Sequence, residues 1–218
     1  VNVWRLIGAL LILLLNPLSL QAAPQRVGVM TMQPGEIFWE RFGHNAIVID
    51  DGERITSYNF GFFDPSEDGF ALNFLRGRMY YLLAALPLEQ DLSYYRQAGR
   101  GVSIQWLDLD EAQREGVAER LTYLAKPENA RYRYDYFTNN CATQVRDVVD
   151  EALSGQLQNK LGASSLGNTY RSETVRLAWP ARWMAIGFDL GLNAKADIAL
   201  SRWQDAFIPM RLQQSLAE

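Results

Sequence analysis

The feature that most constrains the fold is a pair of strand-like runs separated by Asp51-Gly52. Both "HNAIVID" (44–50) and "RITSYNF" (54–60) are rich in β-branched and aromatic residues, which are typical of β-strands. An Asp-Gly pair between two such runs is a strong signal for a hairpin. The pattern therefore predicts two antiparallel strands, with the only histidine of the chain, His44, at the start of the first.

The hairpin also predicts a neighbour for that histidine. With a two- or four-residue loop, Val48 pairs with Ile55 and His44 pairs with Asn59, so both side chains of the second pair lie on one face. A three-residue loop with a bulge would place Tyr58 or Phe60 opposite His44 instead. In the first register, Asn59 can orient the imidazole, which is the task of the third residue in cysteine hydrolase triads.

The only cysteine lies at a predicted helix start. Asn139 and Asn140 are good N-cap residues, "CATQVRDVVDEAL" (141–153) has apolar residues at helical spacing, and Gly155 supplies a stop. In the first turn, free backbone N–H groups and the positive end of the helix dipole favour a thiolate at Cys141. The alternative is a buried cysteine that serves as a small apolar residue.

The remaining pattern predicts a single α+β domain over residues 23–218, since no linker separates a second core. Residues 155–172 form a long polar loop in this interpretation. The aromatic-rich C-terminal extension that follows is expected to pack as helices on the same core, with coverage of a groove or contact with lipid as the alternative. Further strands are predicted at 26–32, 80–86 and 101–109, an extended segment at 131–137, and helices at 89–98 and 110–125.

The first 22 residues are typical of a signal peptide, with Arg5 before an apolar run and Leu20-Gln21-Ala22 as a cleavage site. The alternative is an uncleaved N-terminal anchor. Because the signal-peptide pattern indicates export, the chain is expected in the periplasm. A single cysteine there cannot form an internal disulfide, although small exported domains usually use cysteines in pairs. The presence of one unpaired cysteine in an exported domain therefore favours a functional thiol.

Composition and missing motifs exclude several function classes. The net charge is −4 and no basic run is present, so we expect no nucleic-acid partner. Gly-x-Ser-x-Gly and the phosphate-binding glycine patterns are absent. One histidine and one cysteine cannot complete a structural zinc site. We therefore predict no metal and no cofactor, and leave the oligomeric state open.

Two resemblances extend this interpretation. A histidine on an early strand, followed by an Asn-Cys pair that opens a later helix, resembles the circularly permuted, papain-like branch of the NlpC-type peptidase superfamily, which includes lecithin:retinol acyltransferase-like enzymes. The segments "FGHNAIVI", "YNFGFFD", "YDYFTNNCATQVRDVVD" and "TYRSETVR…W…GFDLGLNAKAD" are similar to the Lnb N-terminal periplasmic domain family. The namesake of that family is a bacterial lipoprotein N-acyltransferase with a Cys–His active site. The resemblance implies that His44 and Cys141 are catalytic.

The sequence thus predicts an exported enzyme in which Cys141 attacks an acyl or amide carbonyl and His44 carries protons. The backbone N–H of Cys141, with the side chain of Asn139 or Asn140, would hold the oxyanion. An amine acceptor would make it an acyltransferase, and water would make it an amidase or thiol hydrolase. Lipoprotein acyl chains or peptidoglycan peptides are the expected substrates, and peripheral membrane contact is possible. A non-catalytic envelope-binding module is the alternative.

Overall fold

The computed structural model describes residues 24–63, 72–73 and 79–218, so the predicted signal peptide lies outside the described residues. The strands are β1 (Arg26–Met32), β2 (His44–Asp50), β3 (Ile55–Phe62), β4 (Met79–Pro87), β5 (Val102–Trp106) and β6 (Arg131–Tyr134). The helices are α1 (Leu88–Gln97), α2 (Glu111–Leu124), α3 (Cys141–Ala152), α4 (Gln156–Gly162), α5 (Tyr170–Ala178), α6 (Arg182–Gly191), α7 (Arg202–Asp205) and α8 (Pro209–Leu216). Short 3₁₀ turns occur at Phe38–Glu40 and Ala194–Asp197.

The strands form one six-stranded sheet in the order β5-β1-β2-β3-β4-β6, and every neighbouring pair is antiparallel. The predicted α+β class is thereby confirmed. Strand β1 and the hairpin of β2 and β3 occupy the middle of the sheet, where both faces can be covered. In the part of the chain that the structure describes, none of the helices is long and apolar enough to cross a membrane.

Alternate residues of β1 and β2 pack in two different cores, because successive side chains of a strand point to opposite faces of the sheet. Ile47 and Ile49 pack in a large cluster with α2 and α3. Ala46 and Val48 pack on the opposite face with Met30 and Tyr95, the latter from α1. Helices therefore cover the sheet on both sides, which explains why the central strands are buried along nearly their whole length.

The hairpin register differs from the prediction by two residues. Asp50 pairs with Ile55 and Ala46 pairs with Asn59, so His44 is not directly opposite Asn59. The reason is the turn: residues 51–54 all belong to the loop, where the Asp51 carboxylate accepts the backbone N–H of Glu53 and of Arg54. A shift by two residues keeps side chains on the same face, so Asn59 remains within diagonal reach of His44.

Two predictions for the C-terminal part are wrong. Residues 155–172 are not one long loop, because Leu157 and Leu161 are one helical turn apart and both are buried, which anchors α4 to the large core. The aromatic residues after it do not all join the core. Phe207 is buried, but Trp179 and Trp183 are 58% and 73% exposed.

Candidate active site at the start of α3

The first turn of α3 is held in place by Asn140. Its side-chain oxygen accepts the backbone N–H of Thr143 at 2.9 Å, and the Thr143 hydroxyl accepts the Asn140 N–H at 2.8 Å, which completes a capping box. The Asn140 amide also donates to the carbonyl oxygens of Tyr136 and Phe207, both at 2.9 Å. The predicted cap is confirmed, and it fixes Cys141 as the first helical residue.

The thiol of Cys141 and the imidazole of His44 are neighbours, and each group shifts the pKa of the other. Burial raises the pKa of the Cys141 thiol, but the charge and hydrogen bond of His44 outweigh it, helped by the backbone N–H groups of Asn45 and Ala142, so the pKa lies below its ordinary value. Burial lowers the pKa of His44, but the Cys141 charge, the hydrogen bonds to Cys141 and Asn59, and the charge of Asp91 together raise it above its ordinary value. These opposite shifts favour a thiolate–imidazolium pair.

One nitrogen of the imidazole contacts Asn59. His44 Nε2 lies 3.1 Å from Asn59 Oδ1, so the contact predicted from the hairpin exists in spite of the shifted register. Asn59 is completely buried. Its amide nitrogen donates to the carboxylate of Asp91 on α1, at 2.8 Å. Hydrogen bonds thus connect His44 through Asn59 to Asp91, and Cys141 lies beside His44.

The thiol and the imidazole approach each other from opposite faces of the sheet. Cys141 belongs to the core beneath α3, whereas His44 shares the face of Ala46, which packs toward α1. They meet where β2 begins and where the pairing of β3 with β4 slips between Phe60 and Phe62. Gly61 lies at this bulge with a φ of 100°, and a methyl group there would be only 3.9 Å from Cys141 Cβ.

The side chains of Asn139 and Asn140 are used in other contacts. Both N–H groups of the Asn140 amide bind carbonyl oxygens, as described above. The Asn139 amide donates to the Arg133 carbonyl at 2.6 Å, and its oxygen accepts from Gln144. Neither amide faces the thiol in this arrangement, so an oxyanion role for them stays a prediction.

Tyrosines surround the pair. The thiolate raises the pKa of Tyr132, Tyr134 and Tyr95 in addition to the effect of their burial, so all three phenols remain protonated through the neutral range. The Tyr132 hydroxyl is buried and makes no hydrogen bond to any described residue. A methyl group at Gly61 would lie 3.9 Å from this hydroxyl, which places the Tyr132 hydroxyl close to Cys141.

An aromatic strip, defined here as Trp39, Phe63, Tyr81, Tyr134 and Tyr136, lies beside the site. Successive ring centroids lie 6.0, 4.9, 4.2 and 5.5 Å apart. Its two ends are exposed, since Trp39 has 56% and Tyr136 has 43% of its surface accessible. The strip passes the thiol at Tyr134, whose pKa is raised by burial and also by the charge of Cys141.

Sequence reasoning missed Asp91 and the tyrosines. An acidic residue in the first turn of a helix is expected for electrostatic reasons alone, so Asp91 carried no special signal. The tyrosines at 132, 134 and 136 alternate in "RYRYDYF", and this period of two could have predicted a shared aromatic face. Among the described residues, no group of three His, Cys, Asp or Glu side chains is arranged to hold a metal ion.

Comparison with known proteins gives one match. The family model described as Lnb N-terminal periplasmic domain matches residues 19–179, which include Cys141, His44, Asn59 and Asp91. The match ends before α6, so the last part of the C-terminal extension lies outside it. Searches of curated proteins and of solved structures found no match.

Proposed function

Because the chain belongs to the Lnb N-terminal periplasmic domain family, we propose that it is a periplasmic cysteine-dependent enzyme that transfers or hydrolyses an acyl group through a thioester on Cys141. The periplasmic location follows from the family itself. One observation carries the chemistry: the single cysteine and the single histidine are neighbours at a helix start, and each shifts the pKa of the other toward an ion pair.

The reaction follows from this pair. The Cys141 thiolate attacks the carbonyl carbon of the donor, and the backbone N–H of Cys141 stabilises the oxyanion. The His44 imidazolium gives its proton to the leaving group as the bond to the carbonyl carbon breaks, which leaves an acyl thioester and a neutral imidazole. An amine or water then attacks the thioester while His44 takes its proton. The thiolate leaves, and the ion pair is restored.

We extend the proposal to the architecture. A histidine that opens an early strand, with a cysteine that opens a later helix packed on the same sheet, supports a circularly permuted papain-like arrangement. The hydrogen-bonded Asn59 supports this interpretation, since an amide oxygen on the imidazole is the third member of a cysteine triad. The contacts of Asn59 thus give it an orienting role.

An acyl chain is the substrate that best fits the surroundings of the thiol. The aromatic strip would give an apolar chain a continuous surface that passes Tyr134, a neighbour of Cys141. A peptidoglycan peptide would instead need polar partners for its amide groups. This contrast favours a lipid-derived acyl donor over a peptide.

We also propose a peripheral membrane contact through α6. Trp183, Ile186 and Leu190 are 73%, 57% and 80% exposed and follow one another at helical spacing. Phe188 of the same helix contacts Phe42, two residues before His44, with ring centroids 6.1 Å apart. An apolar helix face with a tryptophan is suited to the lipid interface, and this face would bring the domain to its acyl donor.

The proposal is tested by intact-mass analysis after incubation with phospholipid vesicles, with a lipidated peptide, and with a peptidoglycan peptide. We expect a covalent adduct from one of the two lipid donors, absent in Cys141→Ser and removed by neutral hydroxylamine, which cleaves thioesters. An adduct from the peptidoglycan peptide alone would overturn the acyl assignment. Absence of every adduct from a folded protein would favour a binding module.

The membrane contact has its own test. Sedimentation with vesicles should be lost in the double variant Trp183→Ser, Leu190→Ser, with an unchanged melting temperature because both side chains are exposed. Equal sedimentation of the double variant and the wild-type protein would contradict the contact. The adduct assay with a soluble lipidated peptide does not depend on this result.

A further inference from the structure

A buried polar cluster lies behind His44 on the face of the sheet that packs against α1. The same Asp91 oxygen, Oδ2, accepts the Asn59 amide N–H and the Ser57 hydroxyl, both at 2.8 Å. The Ser57 hydroxyl in turn accepts a second contact from the Asn59 amide at 3.3 Å. Asp91 is 4% exposed, and Ser57 and Asn59 are fully buried. A buried carboxylate is costly unless it is hydrogen-bonded, and here Ser57 and Asn59 supply the two donors.

The cluster determines which end of the Asn59 amide faces His44. A carboxylate only accepts hydrogen bonds, and an amide has one accepting and one donating end. Asp91 therefore orients the NH₂ group of Asn59 toward itself and the carbonyl oxygen toward the imidazole. An amide turned the other way would set a lone pair of Asn59 against the carboxylate and lose the 2.8 Å hydrogen bond from Asn59 to Oδ2.

The orientation of Asn59 in turn determines the protonation of the imidazole. Since Asn59 Oδ1 is an acceptor, His44 Nε2 must carry the hydrogen in their 3.1 Å contact. The neutral imidazole then has its lone pair on Nδ1, which is the nitrogen left for the thiol. When the imidazole is protonated, both of its N–H groups have acceptors, the thiolate on one side and Asn59 on the other.

We propose that Asp91 is a positioning residue that, through Asn59, holds the neutral His44 side chain in the Nε2–H tautomer, so that Nδ1 is the nitrogen that exchanges protons with Cys141. It does not contact the reacting atoms. The catalytic meaning of this inference depends on the proposed function, whereas the tautomer itself is a property of the resting protein. The ionisable groups around the pair are Asp91 and the phenols of Tyr95, Tyr132 and Tyr134. The pKa values of the three phenols lie far above neutrality.

The chain is well suited to a direct test, because it has one histidine. Protein produced with ¹⁵N-labelled histidine and without a histidine tag gives a single imidazole in long-range ¹H–¹⁵N spectra, which distinguish the Nε2–H from the Nδ1–H tautomer. The parent is Cys141→Ser, in which the imidazole is neutral at mildly alkaline pH. We expect the parent to be in the Nε2–H form. An Nδ1–H parent would overturn the proposal without any change at Asp91.

The variant Asp91→Asn in the same background should lose this preference, because an asparagine can donate to Asn59 and allow its amide to turn. Asp91→Glu should retain it, since the carboxylate is kept. The matched control is Asp150→Asn: Asp150 is another buried carboxylate, 8% exposed, that accepts one backbone N–H at 2.9 Å and makes no contact with His44. An unchanged Nε2–H tautomer in folded Asp91→Asn would overturn the proposal.

A second readout uses the thiol of the otherwise unchanged protein. Alkylation of Cys141 by iodoacetamide should follow a rate–pH curve that moves to higher pH in Asp91→Asn and stays in place in Asp150→Asn. At pH 6 we expect alkylation to be about threefold slower or more, because the thiolate fraction falls. A curve that does not move would overturn the proposal. These measurements need no substrate, so failure to form a thioester would refute the proposed function and leave this inference intact.

Discussion

Replacement of His44 by glutamine tests the ion pair most directly. Burial alone raises the pKa of the Cys141 thiol, and the charge and hydrogen bond of His44 are the largest effects that lower it. Without the imidazole, only the backbone N–H groups of Asn45 and Ala142 remain to stabilise a buried thiolate. We therefore expect the thiol pKa to rise in His44→Gln and the thiolate to disappear from the neutral range.

The size of the effect on alkylation depends on two opposing factors. Each unit by which a thiol pKa falls raises the thiolate fraction at pH 6 about tenfold. The same change lowers the intrinsic nucleophilicity of the thiolate about threefold. The net advantage of the wild-type protein at pH 6 is therefore about threefold for each unit of pKa that His44 supplies. Once the pH is high enough to ionise both thiols, the variant should react at least as fast as the wild-type protein.

The expected result is a pair of rate–pH curves that cross. Alkylation of the single thiol can be followed by intact mass from pH 5 to pH 10, with urea-unfolded protein as the reference for an unperturbed cysteine. Wild-type Cys141 should react faster than the variant below neutrality, and this advantage should disappear as the pH rises through the thiol pKa of the variant. Two curves of the same shape, displaced only by a constant factor, would mean that His44 controls access to the thiol and not its pKa, and would refute the ion pair.

Three further predictions concern other parts of the site and core. Tyr132→Phe removes a buried hydroxyl that has no partner among the described residues, so the free energy of unfolding in urea should not fall; a loss of more than about 1 kcal/mol would show that the hydroxyl has a partner. Asn140→Ala removes the cap of α3 and should lower the free energy of unfolding by about 1–2 kcal/mol, and no measurable loss would contradict the capping role. Glu173, 3% exposed, has a pKa lowered by Arg176 and Arg211 against the opposing effect of burial, so Glu173→Gln should cost about 1.5–3 kcal/mol at pH 7. This contribution is present above the unfolded-state pKa and is lost as the pH falls through the lower folded-state pKa, so wild-type and variant stabilities should converge in acid, and an equal difference at pH 3 would contradict it.

Local sequence patterns predicted the elements that carry the site residues. That His44 and Cys141 act together was implied by the family resemblance and not by these patterns. The strands of the hairpin, the Asn140 cap and the first helical position of Cys141 depend on neighbouring residues, and the structure confirms them. The exact pairing of the hairpin depends on how the turn closes, and Asp51 closes it with its side chain. The predicted contact between Asn59 and His44 is present because a two-residue shift of register does not change the face on which a side chain lies.

The contributions of α1 and α6 could not be predicted in this way. Asp91 reaches Asn59 across 32 positions of sequence, and only the packing of α1 on the sheet brings them together. The exposure of Trp183 also depends on tertiary packing, because a tryptophan at helical spacing is more often found in a core. Local patterns determine which face a residue occupies within its element, but they do not determine what covers that face.

The burial of Cys141 has two consequences that act in opposite directions. At 8% exposure, the thiol is shielded from the disulfide exchange that threatens a lone cysteine in an oxidising compartment. The same burial raises the thiol pKa and would make the residue inert if nothing opposed it. The His44 charge and the N–H groups of Asn45 and Ala142 oppose it from inside the protein. The pKa of Cys141 is therefore set by partners inside the protein and not by solvent, which is why removal of His44 is expected to change its reactivity.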